Sequence, residues 1–190
     1  MRKFGTIPSQ VIRDMAQAGF IEGAEANNVR VASLDLSISK EMYRVEGVFL
    51  PRCGEGIREI LGCIGATHHD LNNPLERGVA YLAKLNEKLA LPEEIYGYCN
   101  PKSRTGRNDV HVRVMADGIP RYDAAAPAGY CGELWLVIEP RSFPLKLQPG
   151  HALSQIRFFN DDTRLNELEL QIAFERYKLL WYRDHPLSYR

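Results

Sequence analysis

The chain has 190 residues, 45% of them hydrophobic and 25% charged, which fits one globular domain, or one with appendages, large enough to bury a real core. Lys+Arg and Asp+Glu balance at 24 each, so overall charge gives no footprint for nucleic acid or an anionic membrane, and any anion site has to be local. No apolar run is long enough to span a bilayer, and Met1-Arg2-Lys3-Phe4-Gly5 lacks the hydrophobic stretch of a signal peptide, so a cytoplasmic protein is expected.

In chain order, Ile7-Pro8-Ser9-Gln10 opens a helix, with Pro8 and Ser9 in its first turn. Val11, Ile12, Met15 and Ala16 form its apolar stripe, and Gly19 ends it. Residues 29–38 read as a strand with one slip in its alternation, and residues 43–50 as another. Residues 51–66 read as a loop with a short helix at 57–61. From Pro74 onward, short strands are broken by turns: 78–83, then 95–99 after the turn Leu91-Pro92-Glu93-Glu94. A strand at 109–116 runs into a hairpin-type turn at Asp117-Gly118. After an irregular Ala/Pro segment at 124–128, residues 132–138 make the strongest strand, apolar on both faces and therefore internal. Strands at 143–147 and 152–159, separated by Gln148-Pro149-Gly150, complete the β part.

Strands so short and so regularly interrupted predict an all-β barrel or sandwich rather than a βαβ sheet. The barrel domain takes residues 1–160, and residues 161–190 form a helical extension that Asp161 and Asp162 cap. In that extension Leu165, Leu168, Ile172 and Leu179 lie along one side, with Phe174, Tyr177 and Trp181 beside them. A helix apolar on two faces has two surfaces to cover, either both on its own barrel or one against another chain.

The chemistry concentrates in Cys99-Asn100-Pro101-Lys102-Ser103-Arg104-Thr105-Gly106-Arg107-Asn108-Asp109-Val110. A turn this rich in cations and hydroxyls, bounded by Pro101 and leading into a strand, suits an anion better than a core. Glycine lets main-chain N–H groups converge on phosphate oxygens, and guanidinium groups add charge-assisted hydrogen bonds. The plain alternative is a solvated turn with ordinary surface cations. Cys53, Cys63, Cys99 and Cys131 are scattered, with no C-x-x-C pair and no histidine placed to complete a zinc site. His68-His69-Asp70 is the one cluster that looks metal-like; adjacent histidines on a strand point to opposite faces, so it reads as a loop or strand edge. No metal site is predicted.

Five blocks in order resemble the dCTP deaminases of the dUTPase-like superfamily: Ala32-Ser33-Leu34-Asp35-Leu36, Asn100 to Arg107, Gly129-Tyr130-Cys131-Gly132, Pro140-Arg141-Ser142-Phe143-Pro144, and Pro149-Gly150 followed by Ser154-Gln155-Ile156-Arg157-Phe158. The resemblance runs from the first helix to about Phe159 and is closest to the amino-terminal half of the longer, two-domain bacterial enzymes. Beside the N-terminal helix and the long C-terminal helix, the latter less clearly shared with the family, it implies a distorted, jelly-roll-like β-barrel assembled as a homotrimer whose active sites are shared between subunits. It further implies zinc-independent hydrolytic deamination of dCTP to dUTP and ammonia, with Mg2+ carried by the triphosphate. The H-x-E and P-C-x-x-C pattern of zinc-dependent base deaminases is missing from the sequence.

Carried over by position, the resemblance puts Lys102, Ser103, Arg104, Gly106 and Arg107 in the loop facing phosphate and base. Ser103 would hold the attacking water and Arg107 would stabilise charge at the ring. Ala116 would offer its backbone to base and water, Asp123 would bind the sugar hydroxyl, the backbone from Trp135 to Val137 would read the pyrimidine edge, and Gln155 would contact the triphosphate. Arg104 stands where the family more often has a small hydroxyl, and three extra residues separate Asp123 from Gly129.

The main departure is Val137, at the place of the family's catalytic glutamate; a valine cannot carry a proton from water to departing ammonia. Glu139 shares that strand face about 7 Å further along, where a bulge would bring it into place, and Glu133 points the same way from the other side. Glu139 is therefore the candidate proton carrier. Two alternatives stand: a nucleotide-binding or structural domain that has lost its chemistry at Val137, or a dUTP diphosphatase using Asp117 or Asp123. No aromatic residues interleave with a basic stripe, so no nucleic-acid partner is expected.

Overall fold

The structure, a computed structural model, describes residues 5–160 and 165–189. A short strand, β1 (Gly5–Thr6), precedes α1 (Ser9–Gln17), where Pro8 is the N-cap rather than part of the first turn, and Ile12 and Met15 are the residues driven into the core. Then follow β2 (Ile21–Glu22), β3 (Leu34–Val45), α2 (Ile57–Cys63) and β4 (Thr67–His68). The central elements are β5 (Ala80–Ala90), β6 (Ile95–Pro101), α3 (Ser103–Arg107) and β7 (Val110–Ala116). The chain continues through β8 (Ala124–Ala125), β9 (Cys131–Pro140), β10 (Ala152–Asn160), α4 (Glu167–Tyr177) and a hairpin, β11 (Trp181–Tyr182) and β12 (His185–Pro186).

The main sheet runs in the order β7-β9-β5-β3-β10-β6-β8, every pair antiparallel. It curls into a nearly closed barrel, because β6 and β7 approach each other across the seam. Asp123 stitches that seam. Its main-chain N–H donates to the Val114 carbonyl at 2.8 Å, and its carbonyl accepts from the Cys99 N–H at 2.8 Å. The mainly β barrel expected from the sequence is the fold found.

Alternation along the strands sorts side chains to two sides. Leu134, Leu136 and Ile138 of β9 join Leu34, Leu36, Tyr81, Leu85, Ile156 and Phe158 inside the barrel. Trp135 and Val137 point outward into a second cluster, roofed by Ile57 and Leu61 of α2 and joined by Val45, Leu82 and Met115.

Several elements differ from expectation for identifiable reasons. Residues 29–38 and 43–50 are not two strands; β3 is one strand that bulges between Ile38 and Met42, which breaks the alternation without breaking the chain direction. Val31 stands out in solvent at 85% exposure. Strand 78–83 extends to Ala90, because Leu85, Glu87 and Leu89 keep the inward phase. Asp117-Gly118 does turn, with Gly118 at φ +69°, but the chain detours to pair β8 with β6 before returning as β9, so no tight hairpin forms. Residues 143–147 are not a strand; their one ladder contact is the bridge from Leu145 to Leu75. The proposed caps Asp161 and Asp162 lie outside the described residues. The final helix is shorter than its apolar pattern, opening at a capping box in which Asn166 and Glu169 satisfy each other's backbone N–H and ending before Leu179 and Trp181.

Candidate functional site

The turn after β6 is a single helical turn, α3. Its carbonyl anchor is Lys102, which accepts from the N–H groups of Thr105 (2.9 Å) and Gly106 (3.3 Å). Two contacts to one carbonyl of β10's leading segment hold it down: the Lys102 N–H and the Thr105 hydroxyl both donate to Leu153, at 2.9 and 2.8 Å. Thr105 is consequently buried, while Ser103, Arg104, Gly106 and Arg107 face outward. Gly106 has open space where a side chain would stand, so what it provides is room.

Beneath the turn lies a buried carboxylate. One oxygen of Asp35, on β3, accepts from Nε and Nη2 of Arg30 (2.8 Å each) and from the Lys102 ammonium. The Asp35 side chain is 3% exposed, and a carboxylate so placed persists because two cations enclose it. Lys102 is thereby aimed inward and its charge is spent on Asp35. Arg104 and Arg107 differ: their guanidinium groups, like the Ser103 hydroxyl, have no protein hydrogen-bond partner among the described residues. Gln155 lies between Asp35 and Asn100 in sheet register, and its Oε1 accepts from the Ser33 hydroxyl at 3.1 Å, so its amide hydrogens remain to donate. Arg30, Lys102, Ser103, Arg104, Arg107 and Gln155 border a cleft of about 480 Å3.

On the other side of α3, Gly106, Asp109, His111, Glu139 and Arg141 line a second, shallower cleft of about 460 Å3, and Val110 contributes to both. Glu139 sits opposite His111 in the β7–β9 ladder and binds Arg141 Nη1 at 2.5 Å. The expected proton carrier therefore stands beside the turn, although not within the cleft that holds Ser103 and Arg107.

The remaining predicted positions are elsewhere. Val137 is 5% exposed in the outer cluster beneath α2, with Arg113 and Leu82 as its strand neighbours. Trp135 is fully buried beside it, its main chain in a strand paired on both edges, and its indole N–H has no acceptor among the described residues. The Arg58 guanidinium lies 5.4 Å from the Trp135 ring centre. Ala116 is buried at the end of β7, and its carbonyl accepts from the Ile119 N–H at 3.1 Å. The Asp123 carboxylate accepts from the Val114 N–H (2.9 Å) and pairs with Arg113 (2.6 Å). The two oxygens of Asp117 take the main-chain N–H groups of Ile57 (2.9 Å) and Glu133 (3.1 Å). Glu133 itself joins Lys84 (2.7 Å) and Arg58 (3.2 Å); partial burial pushes its carboxyl up, but those two cations outweigh it and hold the pKa below the usual range.

The structure thus gathers Lys102, Ser103, Arg104, Arg107 and Gln155 at one cleft, Gly106 and Glu139 at its neighbour, and places Ala116, Asp123, Trp135 and Val137 in the barrel's packing. Sequence reasoning missed Arg30 and the pinning role of Asp35. Their one signal was spacing: a cation five residues before an acid in a strand otherwise built of apolar residues and serines.

Residues 3–162 match the family model of the 2'-deoxycytidine 5'-triphosphate deaminase (DCD) N-terminal domain. The fold is similar to the crystal structure of 2'-deoxycytidine 5'-triphosphate deaminase from Agrobacterium tumefaciens, with TM-score 0.87 and 35% identity over 99% of this chain and 56% of that one. The chain therefore spans little more than half the length of that relative. No curated protein matches. Ordered motifs, barrel topology and these likenesses agree: the chain belongs to the dCTP deaminase N-terminal domain family.

Proposed function

We propose that the chain binds a deoxycytidine triphosphate and hydrolyses its 4-amino group, giving dUTP and ammonia without zinc. The observation that carries this reading is the pair of unpartnered guanidinium groups, Arg104 and Arg107, bordering one cleft with Ser103 and Gln155. Bidentate guanidinium contacts and a free amide suit phosphate oxygens. Mg2+ would travel with the triphosphate and neutralise part of its charge, and no described side-chain cluster is assigned to it.

In this reading Ser103 orients water, Arg107 steadies charge growing on the ring, and Glu139, reaching across Gly106 from the adjoining cleft once released by Arg141, takes the water proton and returns it to departing ammonia. Gly106 keeps the approach open, with Lys102 and Asp35 fixing the turn from below. The roles that the family resemblance gives Ala116, Asp123 and the Trp135–Val137 backbone, toward base and sugar, would need these groups released from their present strand and side-chain partners. The site is completed by a second subunit of a homotrimer, in the cytoplasm. Among the described residues no helix is long and apolar enough to cross a membrane.

A second reading has its own observation. Val137 is sealed under Ile57 and Leu61, so the family's glutamate position is filled by apolar packing. There the domain binds nucleotide and catalyses nothing. Ammonia release from dCTP with Mg2+, measured alongside calorimetric dCTP binding, separates the two. Activity expected from the first reading falls at least 100-fold in Glu139→Gln with binding retained, and dCTP affinity drops about tenfold or more in Arg107→Ala. Binding without ammonia in the unmodified chain establishes the second reading, and no binding at all removes both.

A further inference from the structure

The His68-His69-Asp70 motif comes to rest at a cleft that shares no lining residue with either cleft beside α3. The opening originates in β3. Along one edge, Leu34 to Ser37 pair with β10, whereas Tyr43 and Arg44 pair with β4. At the changeover, the Gly150 N–H donates to the Ile38 carbonyl and the His69 N–H to the Met42 carbonyl, each at 2.8 Å. The β3 bulge falls between those two bonds and carries Lys40. A cleft of about 360 Å3 opens there, bordered by Lys40, His68, His69, Asp70, Lys146 and Leu147, within the size range of small-molecule sites, roughly 300–1,000 Å3.

Its charges are lopsided. Lys40 and Lys146 are exposed and have no ion-pair partner among the described residues. His68 packs edge-on against Tyr43 and His69 against Tyr81, with ring centres 5.8 and 4.8 Å apart. His69 Nε2 lies 3.2 Å from the Asn73 carbonyl, which makes that nitrogen the donor. The one carboxylate, Asp70, accepts the Asn72 N–H at 2.9 Å. Two free ammonium groups, two imidazoles and one occupied carboxylate favour an anion over a cation. Consistently, the described residues contain no group of three His, Cys, Asp or Glu that could hold a metal.

We propose that this cleft is a second anion site, taking the phosphate groups of a small phosphorylated ligand between Lys40 and Lys146, with the histidines at its wall. Unlike α3, it is built where one strand exchanges partners, and it does not depend on deaminase chemistry.

The test is an NMR titration of the five histidine rings, assigned through His68→Gln and His69→Gln, with inorganic pyrophosphate and, separately, with dCTP. The expected result is a saturable shift of the His68 and His69 signals that persists in Arg104→Ala/Arg107→Ala and weakens at least tenfold in Lys40→Ala/Lys146→Ala. An unchanged unfolding midpoint in each variant certifies its fold, and Lys40→Gln/Lys146→Gln serves if the alanine pair fails that check. Tighter binding of dCTP than pyrophosphate at these signals identifies a nucleotide tail as the ligand; the reverse identifies the free polyphosphate. The proposal is overturned if neither probe shifts the two rings, if the shift survives loss of both lysines, or if it vanishes with the two arginines.

Discussion

Glu87 projects from β5 into the barrel, where 1% of its surface meets solvent. Its carboxyl oxygens accept from the Ser37 N–H (2.9 Å) and the Ser37 hydroxyl (2.8 Å), and Asn86 donates to that same hydroxyl at 3.0 Å. Burial pushes the pKa up to about 7 from 4.5, and the Ser37 hydrogen bonds oppose that rise without cancelling it. A carboxyl whose folded pKa lies above its unfolded one favours the fold while both states are protonated. That contribution is complete below about pH 4.5 and is lost as pH climbs through about 7. The displacement corresponds to about 3 kcal/mol. Glu87→Gln keeps the shape and removes the titration, so its stability relative to the unmodified chain should rise between pH 5 and pH 8 by a large part of that amount. Urea unfolding at both pH values measures it. Glu41 and Glu133, whose pKa values are lowered, act in the opposite sense in acid and are common to both chains, so they drop out of the difference. An equal gap at the two pH values would defeat the argument. None of this was legible in the sequence: Glu87 reads as one more polar residue in a mixed stretch, and only the phase of β5 turns it inward. Asp35 was hidden for the same reason, its charge significant only once Arg30 and Lys102 are seen converging on it.

The elements most plainly written in the sequence are those whose period agrees with their burial. β9 reads as internal because both of its faces are apolar, and it is flanked by β5 and β7 with the barrel core on one side and α2 on the other. α1 is legible for the same reason in Ile12, Met15 and Gly19, although Val11, read as part of its stripe, is exposed. β3 is misread because a bulge looks like a gap, and residues 143–147 are misread because alternation alone supplies no pairing partner. α2 shows how a minor element decides the site's character. Its seven residues roof Trp135 and Val137 with Ile57 and Leu61, and the N–H that opens it is held by Asp117. Leu61→Ala should cost about 2–4 kcal/mol in chemical denaturation through the cavity left over Trp135. Val137→Glu, which restores the family's residue type, should also destabilise, since it places a carboxylate among the apolar side chains under α2 and its one strand-neighbour cation, Arg113, is already paired with Asp123. If that variant instead folds as stably as the unmodified chain, α2 moves aside readily and the roof is no barrier to a base reaching β9.

At the scale of the whole molecule, the barrel is nearly closed, whereas the C-terminal arm leaves much of its apolar surface open. The two apolar faces expected of the last helix leave open whether they cover their own barrel or another chain, and the exposure pattern now bears on that choice. Phe174 is buried, its ring 5.6 Å from that of Tyr189, so one face is satisfied within the arm itself. Leu168, Ile172, Tyr177, Leu180, Trp181 and Tyr182 remain more than half exposed. In the proposed homotrimer this exposed apolar surface would be the contact between subunits. Leu168 and Ile172 are four residues apart and therefore share one face of α4. Under the proposed homotrimer, sedimentation equilibrium at micromolar concentration should return about three times the 21.6 kDa chain mass. Leu168→Asp/Ile172→Asp should weaken association at least tenfold while leaving the unfolding free energy of the separated chain within about 0.5 kcal/mol, because surface substitutions cost little. The shared-site reading makes a linked demand: dCTP affinity should fall together with association, since each cleft then lacks its second wall. A trimer that survives both aspartates would place the contact on the barrel instead of the arm, and a chain that stays monomeric at every concentration would leave the α3 clefts to bind nucleotide on their own.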